Sequence, residues 1–234
     1  MVKLDIGNTE NMPPPLAEKH RLRRVKDGEL IANIFDDLRG QHIYSPNRKK
    51  QLLCNYLVLY EVSMWETYIE DLVDEAQEFL LNHIDNPIAF GYDVLLPISE
   101  ELINAKDKRE IWKISNSSWK NELRQSRKKT IESFHTPNAN NTDALVFRTL
   151  GLKGISNCWK WQKMTPAKAK DRLAKLIKLR GGIAHGSLDA PKVNYPTFIN
   201  RLMFTVRLCH YSADAIADHV KLLTGKLPWN FQEK

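Results

Sequence analysis

Between Pro46 and Pro87 the chain contains no glycine and no further proline. Leu52, Tyr56, Leu59, Tyr60, Ser63, Tyr68, Leu72, Ala76 and Phe79 recur there at near-helical spacing. Ser45 reads as an N-cap, with Pro46 at the first helical position and Pro87 as the stop. The spacing predicts one helix over about 47–82, some ~50 Å long at 1.5 Å per residue. A helix of that length implies a long antiparallel partner to cover it.

A second long helix is "YPTFINRLMFTVRLCHYSADAIADHVKLLTG". Its stripe of Ile199, Leu202, Met203, Val206, Cys209, Ala213, Ile216, Ala217, Val220 and Leu223 ends at Gly225. Shorter helices are expected over 26–39, ended by Gly40, from Ser99 onward, and over 117–134. Another runs from Thr142 to a stop at Gly151. "MTPAKAKDRLAKLIKLRGG" has Thr165 as N-cap, Pro166 as first helical residue and Gly181–Gly182 as stop. No stretch alternates as a strand would. The expected fold is all-α, a bundle around two long helices. Residues 1–25, with three consecutive prolines, read as an extended arm, 26–225 as one helical domain and 226–234 as a tail.

Charge is unevenly distributed along the 234 residues, whose net charge is +7. Residues 51–105 hold eleven acids and no Lys or Arg, leaving 17 acids against all 35 basic residues elsewhere. Either the basic surplus meets nucleic acid, or the acidic segment packs beside it and neutralises it. No apolar run approaches the roughly 20 residues of a membrane span, and the N-terminus lacks an apolar signal core. Cys54, Cys158 and Cys209 lack paired spacing and suit reduced thiols in a cytoplasmic protein.

The candidate site is "KLIKLRGGIAHGSLD", residues 175–189. Arg180 follows Leu173, Leu176 and Ile177 and is expected to continue their stripe, where a guanidinium needs a partner or a cavity. In an unbroken helix His185 would point roughly 140° away from Arg180, so a bend at the glycines or a second subunit is required to join them. Arg and His without carboxylates or a metal suit phosphodiester cleavage in RNA. The 2′-OH is the nucleophile, His moves the proton, and Arg stabilises the charge on phosphorus. The structural alternative pairs Arg180 with Glu66 or Glu70 and leaves His185 beside a helix cap.

"LRGGIAHG" resembles the Arg, four to six residues, His signature of the HEPN superfamily. "YEVSMWETYIEDLVDEA" is similar to that superfamily's long early helix. "FHTPNANNTDALVFRTLGLKGISNCWKW" followed by "AKDRLAKLIKLRGGIAHG" resembles its RiboL-PSP-HEPN branch, over roughly residues 50–220. The resemblance implies a bundle of four to five helices that pairs as a homodimer, with Arg180 and His185 of both subunits in one composite active site. It also implies metal-independent RNA cleavage to a 2′,3′-cyclic phosphate and a 5′-OH, with no cofactor. The setting it implies is toxin–antitoxin or antiphage defence, with an antitoxin or another defence protein as partner. The residue after the Arg is commonly polar in such proteins and here is Gly181. The alternative is therefore an inactive HEPN module binding RNA, a nucleotide or a protein.

Other constellations are weaker. Arg124, Arg127, Lys128 and Lys129, with Trp119 and Phe134 nearby, could track an RNA backbone or simply be a solvated face, and Lys178 beside the Arg–His pair could add an RNA contact. His210, Asp214 and Asp218 share a helix face at metal-ligand spacing, as solvated polar residues also would. Trp159 and Trp161 lie two apart with Lys160 and Lys163 around them; at least one of the two is expected to anchor the core, and a stacking role stays open. There is no P-loop, GxGxxG, HExxH or nucleophile elbow.

Overall fold

The computed structural model describes residues 16–37, 46–186 and 195–229. The triple proline, Gly40, Ser45 and residues 230–234 lie outside the described residues. The chain forms seven α-helices there: α1 Leu16–Asp37, α2 Pro46–His83, α3 Tyr92–Ile103, α4 Trp119–Glu132, α5 Ala139–Leu150, α6 Pro166–Ala184 and α7 Tyr195–Thr224. Among these residues the only β-type pairing is a bridge between Trp161 and Met164, so the fold is the all-α bundle expected.

The bundle is built on α2, against which α1, α4, α5, α6 and α7 all pack. Its buried positions are Cys54, Leu57, Val58, Glu61, Val62, Met64, Trp65, Tyr68, Ile69, Leu72, Val73, Ala76, Gln77, Leu80 and Leu81. That is a broad stripe at alternating three- and four-residue steps, wide because neighbours surround the helix. It differs from the sequence expectation at the start: Leu52 is 62% exposed and Tyr56 51% exposed. The true stripe there passes through Cys54 and Glu61.

The two long helices, α2 and α7, run parallel. Thr205 Oγ1 donates to Glu61 Oε1 at 2.7 Å, and one turn or two further along both helices Tyr68 Oη donates to Cys209 O at 3.3 Å. The antiparallel cover expected for α2 comes from α1, where Leu16 N donates to Glu75 Oε2 at 2.7 Å and His20 contacts Asp71 at 2.8 Å. α1 therefore starts well ahead of residue 26, and the expected boundary of the arm falls inside it. Trp229 is also buried, so the segment after α7 packs onto the bundle at least that far.

Two shorter helices begin earlier than their sequences suggested. α3 starts after Gly91, and Ser99, expected as its cap, lies inside it and donates to Leu95 O at 3.1 Å. α5 is capped by Asn138, whose Oδ1 accepts from Asn141 N at 2.9 Å, and begins at Ala139, three residues ahead of the expected start at Thr142. Its stop at Gly151 is as expected, with φ of 78°. A Cβ there would sit 2.7 Å from Phe90 O, so glycine is required both by backbone angle and by space.

Candidate functional site

α6 carries the site. Thr165 caps it, with its hydroxyl accepting from Lys168 N at 3.3 Å, and Pro166 occupies the first turn. Ala169, Leu173, Leu176 and Leu179 are its buried residues. Arg180 is exposed, which corrects the expectation that it continues the apolar stripe. Leu179 takes the inward place and the guanidinium stays in water, avoiding the cost of burying an unpaired charge.

The helix also does not stop at Gly181–Gly182. It continues to Ala184, and His185 N still donates to Gly181 O at 3.0 Å. Glycine in a helix costs only about 1 kcal/mol relative to Ala, and Ile183, packed against the core, draws the helix through another turn. The turn out comes at Gly186, with φ of +66°. With no bend between them, Arg180 and His185 leave one helix in directions roughly 140° apart. Both are solvent-exposed.

Among the described residues no hydrogen bond or salt bridge holds the Arg180 side chain. Its electrostatic partner is Glu66 of α2, whose carboxyl feels the charge of Arg180 and of His135. Burial pushes the Glu66 carboxyl up, and Arg180 and then His135 oppose that. One turn on, Glu70 is pushed up to about 7 by burial and by repulsion from Glu66 and Asp71, with Arg24 of α1 opposing. A half-buried acidic face thus lies between a cation from α1 and one from α6.

His135 was not singled out by its sequence context, and it sits on a tightly held loop. Phe134 beside it is buried. Trp65 Nε1 donates to Pro137 O at 2.9 Å, and Thr136 O accepts from Asn138 N and from Asn141 Nδ2, each at 2.8 Å. The loop is pinned to α2 next to Glu66, and His135 itself is exposed.

The other basic cluster is placed differently. Arg127 is buried, with Nε 2.8 Å from Asp74 Oδ1 and Nη1 donating to Asp74 O and Gln77 Oε1, each at 3.2 Å. Arg124 holds Glu78 through two hydrogen bonds, of 3.0 and 2.6 Å, keeping that carboxyl below the usual carboxylate range. Lys129 holds Glu101 at 2.8 Å, and Lys128 lies 4.0 Å from Glu132. Here the acidic segment does neutralise the basic one. Lys178 is exposed on α6, two residues before Arg180.

Trp159 is fully buried and donates to Ser212 Oγ at 2.9 Å, whereas Trp161 is half-buried and stacks on Tyr211 at 5.3 Å. His210, Asp214 and Asp218 interact electrostatically along α7, and no group of three or more His, Cys, Asp or Glu placed to hold a metal occurs among the described residues. A cleft of about 420 Å³ between α3 and α4 is lined by Ile98, Glu101, Leu102 and Lys129 among others, and neither Arg180 nor His185 borders it. No helix among the described residues is long and apolar enough to cross a membrane.

The sequence profile of one family, RiboL-PSP-HEPN, matches residues 23–218. The chain belongs to that family. No curated protein and no solved structure matches it. The HEPN match reaches further toward the N-terminus than the motifs did and takes in most of α1, consistent with α1 being part of the bundle. It also spans α6 with Arg180 and His185.

Proposed function

We propose that this HEPN protein is a metal-independent endoribonuclease, with Arg180 stabilising charge on the phosphorus and His185 moving the proton of the 2′-OH. The products are a 2′,3′-cyclic phosphate and a 5′-OH. The observation that carries the reading is the state of Arg180. It is an exposed guanidinium with no hydrogen bond or salt bridge among the described residues, five positions from an exposed imidazole. Arg124 and Arg127, by contrast, are taken up by carboxylates. A forked cation and a group titrating near neutrality are what 2′-OH attack requires.

Because the two side chains diverge on one straight helix, the working site is composite. A two-fold axis beside the end of α6 brings Arg180 of one subunit toward His185 of the other. Lys178, on the same exposed end, and Lys128 contact RNA phosphates. The biological setting is a toxin or antiphage effector held by an antitoxin or another defence protein in the cytoplasm. A second reading, a non-catalytic module binding RNA, a nucleotide or a protein, is supported by Gly181. No side chain follows Arg180, and a Cβ placed there meets nothing within 4 Å.

The test is RNA cleavage in EDTA by wild type, Arg180→Ala and His185→Ala, with end-group analysis. The expected result is a cyclic phosphate product that disappears in both variants. Salt-sensitive RNA binding without cleavage selects the second reading, and cleavage that survives both substitutions rejects the assigned site.

A further inference from the structure

From Trp159 to Arg180 the chain carries eight basic residues and one acid, Asp171, which Lys175 holds at 2.7 Å. Among the described residues no salt bridge holds any of the other seven. Lys170 donates to Asn157 Oδ1 at 2.8 Å and Arg172 to Asn200 O at 2.7 Å. This is the reverse of α4, where carboxylates of α2 and α3 take up the cations.

At the start of this basic stretch a two-residue turn fixes Trp161. Trp161 N donates to Met164 O at 3.2 Å and Met164 N to Trp161 O at 2.9 Å, with Lys163 left-handed at φ 64°. The side chain lies against α7. Tyr211 stacks on the ring, with centroids 5.3 Å apart and planes 17° apart, and buried Phe204 tilts against it at 6.0 Å. Arg207 Cζ stands 5.9 Å from the ring centroid. Trp161 and Tyr211 are half-buried, and Arg207, Lys160 and Lys163 are exposed. Among the described residues neither the Trp161 indole N–H nor the Arg207 guanidinium has a hydrogen bond or salt bridge. The next acid on the exposed side of α7 is Asp214, three residues beyond Tyr211. Trp159 is the contrast: it is fully buried with its N–H on Ser212, so the core anchor is already supplied.

A partly exposed aromatic pair with an unneutralised guanidinium at its edge suits a nucleobase. The ring faces take stacking, and the cations take the backbone phosphates. Bases inside a duplex have no free face to offer. We infer that Trp161, Tyr211 and Arg207 form a docking platform for an unpaired base of single-stranded RNA, with Lys160 and Lys163 meeting the flanking phosphates. The assignment to RNA rests on the reading of Arg180 and His185 as an RNA-cleaving site. Pro166, just past the turn, and Arg180 are about 21 Å apart along α6 at 1.5 Å per residue. The platform therefore holds the strand away from the cleaved bond and selects unpaired RNA over duplex.

The test measures binding by the full chain of a short 2′-O-methyl oligouridine, which lacks the attacking hydroxyl, and of the same sugar–phosphate strand without bases. Trp161→Ala should weaken oligouridine binding by roughly 5- to 150-fold, the scale of one base–aromatic stack. It should leave binding of the abasic strand as in wild type. Trp161→Phe, which keeps a ring, should recover most of the loss. Arg207→Gln should weaken binding of both strands and lower the slope of log affinity against log salt by about 0.7, one phosphate contact. Trp161→Ala should leave that slope unchanged. Oligouridine annealed to its complement should bind wild type and Trp161→Ala alike.

Equal losses by Trp161→Ala on the two strands would reveal a folding defect at the turn and overturn the platform, as would unchanged binding of both. Either result leaves the Arg180 and His185 assignment standing, because cleavage in EDTA reads it separately. A base-dependent loss in a protein that cleaves no RNA keeps the platform and removes the cleavage reading. A wild type that cleaves RNA yet binds the oligouridine no better than the abasic strand overturns the platform alone.

Discussion

Two arginine-bearing helices of this molecule look alike in sequence and behave oppositely in the fold. On α4, Arg124 and Arg127 bind Glu78 and Asp74 of α2, and Arg127 is nearly closed off from solvent. On α6, Arg180 reaches only the field of Glu66 and stays in water. The difference lies in what α2 offers at each level. Toward its C-terminal end it presents Asp74 and Glu78 to a helix that packs directly upon them. At mid-length it presents Glu66 at the edge of the contact, where a long side chain can remain outside. A basic residue consumed by the fold contributes to stability, and one left outside is available for chemistry.

The comparison breaks most sharply by substitution. Arg180→Ala or His185→Ala should reduce RNA cleavage by roughly 10²–10⁴-fold with little change in stability, the scale of losing a charge-stabilising or proton-transfer group. Arg127→Ala should do the reverse. It removes a buried guanidinium whose carboxylate partner Asp74 is exposed but whose amide partner Gln77 is buried, so a loss of about 1–3 kcal/mol in urea unfolding is expected, with cleavage per folded molecule unchanged. If Arg127→Ala abolishes cleavage at full stability, the division between the two helices is wrong.

A third charge sharpens the contrast from inside the core. Glu61 is buried on α2, bonded at Oε1 to Thr205, while its Oε2 is buried with no hydrogen-bond partner among the described residues. Burial raises this carboxyl to about 7, against the opposing effects of Thr205, Arg201 and Arg172. Its folded value lies above its unfolded one, so between them the unfolded state binds fewer protons and stability falls as pH rises. The cost is fully present above about pH 7 and on the order of 3 kcal/mol. Glu61→Gln keeps the acceptor for Thr205 and removes the charge. Urea unfolding from pH 5 to 8 should therefore show a steep decline in wild type and a shallower one in the variant. Half-buried Glu70 leaves the remaining slope. A wild-type profile that is flat over this range would show that Glu61 stays charged and partnered.

Much of this was legible in the sequence, for identifiable reasons. The long helices, the Thr165–Pro166 start of α6 and the stops at Gly151 and Gly225 are written in local chemistry, which caps and breakers report directly. The Arg–His pair was visible as a motif. The phase of the α2 stripe was not, because exposed Leu52 and Tyr56 imitate core residues while buried Glu61 does not. The direction of α7 was not, because periodicity carries no sign. Arg180 was expected to lie inward because Leu179 and Arg180 both fit the helical spacing, and only the cost of desolvating a guanidinium separates them. His135 escaped notice because the element its loop is pinned to, α2 at Trp65, is remote from it in sequence.

The smallest effect bears on the weakest point of the catalytic assignment. Gly181 is helical and has open space where a side chain would stand. Gly181→Ala should therefore stabilise the protein, by about 0.5–1 kcal/mol, through the entropy that glycine loses in a helix. The backbone of α6 is already straight through this position, so the direction of Arg180 should not change, and cleavage should match wild type. Gly181→Asn adds a polar group beside the guanidinium at the same position. A rate increase in Gly181→Asn but not in Gly181→Ala would mean that the missing polar group limits catalysis. A loss of cleavage in Gly181→Ala, despite the gain in stability, would mean instead that the helix must bend at the glycines for Arg180 and His185 to act. The composite arrangement drawn from the straight helix would then give way to one assembled within a single chain.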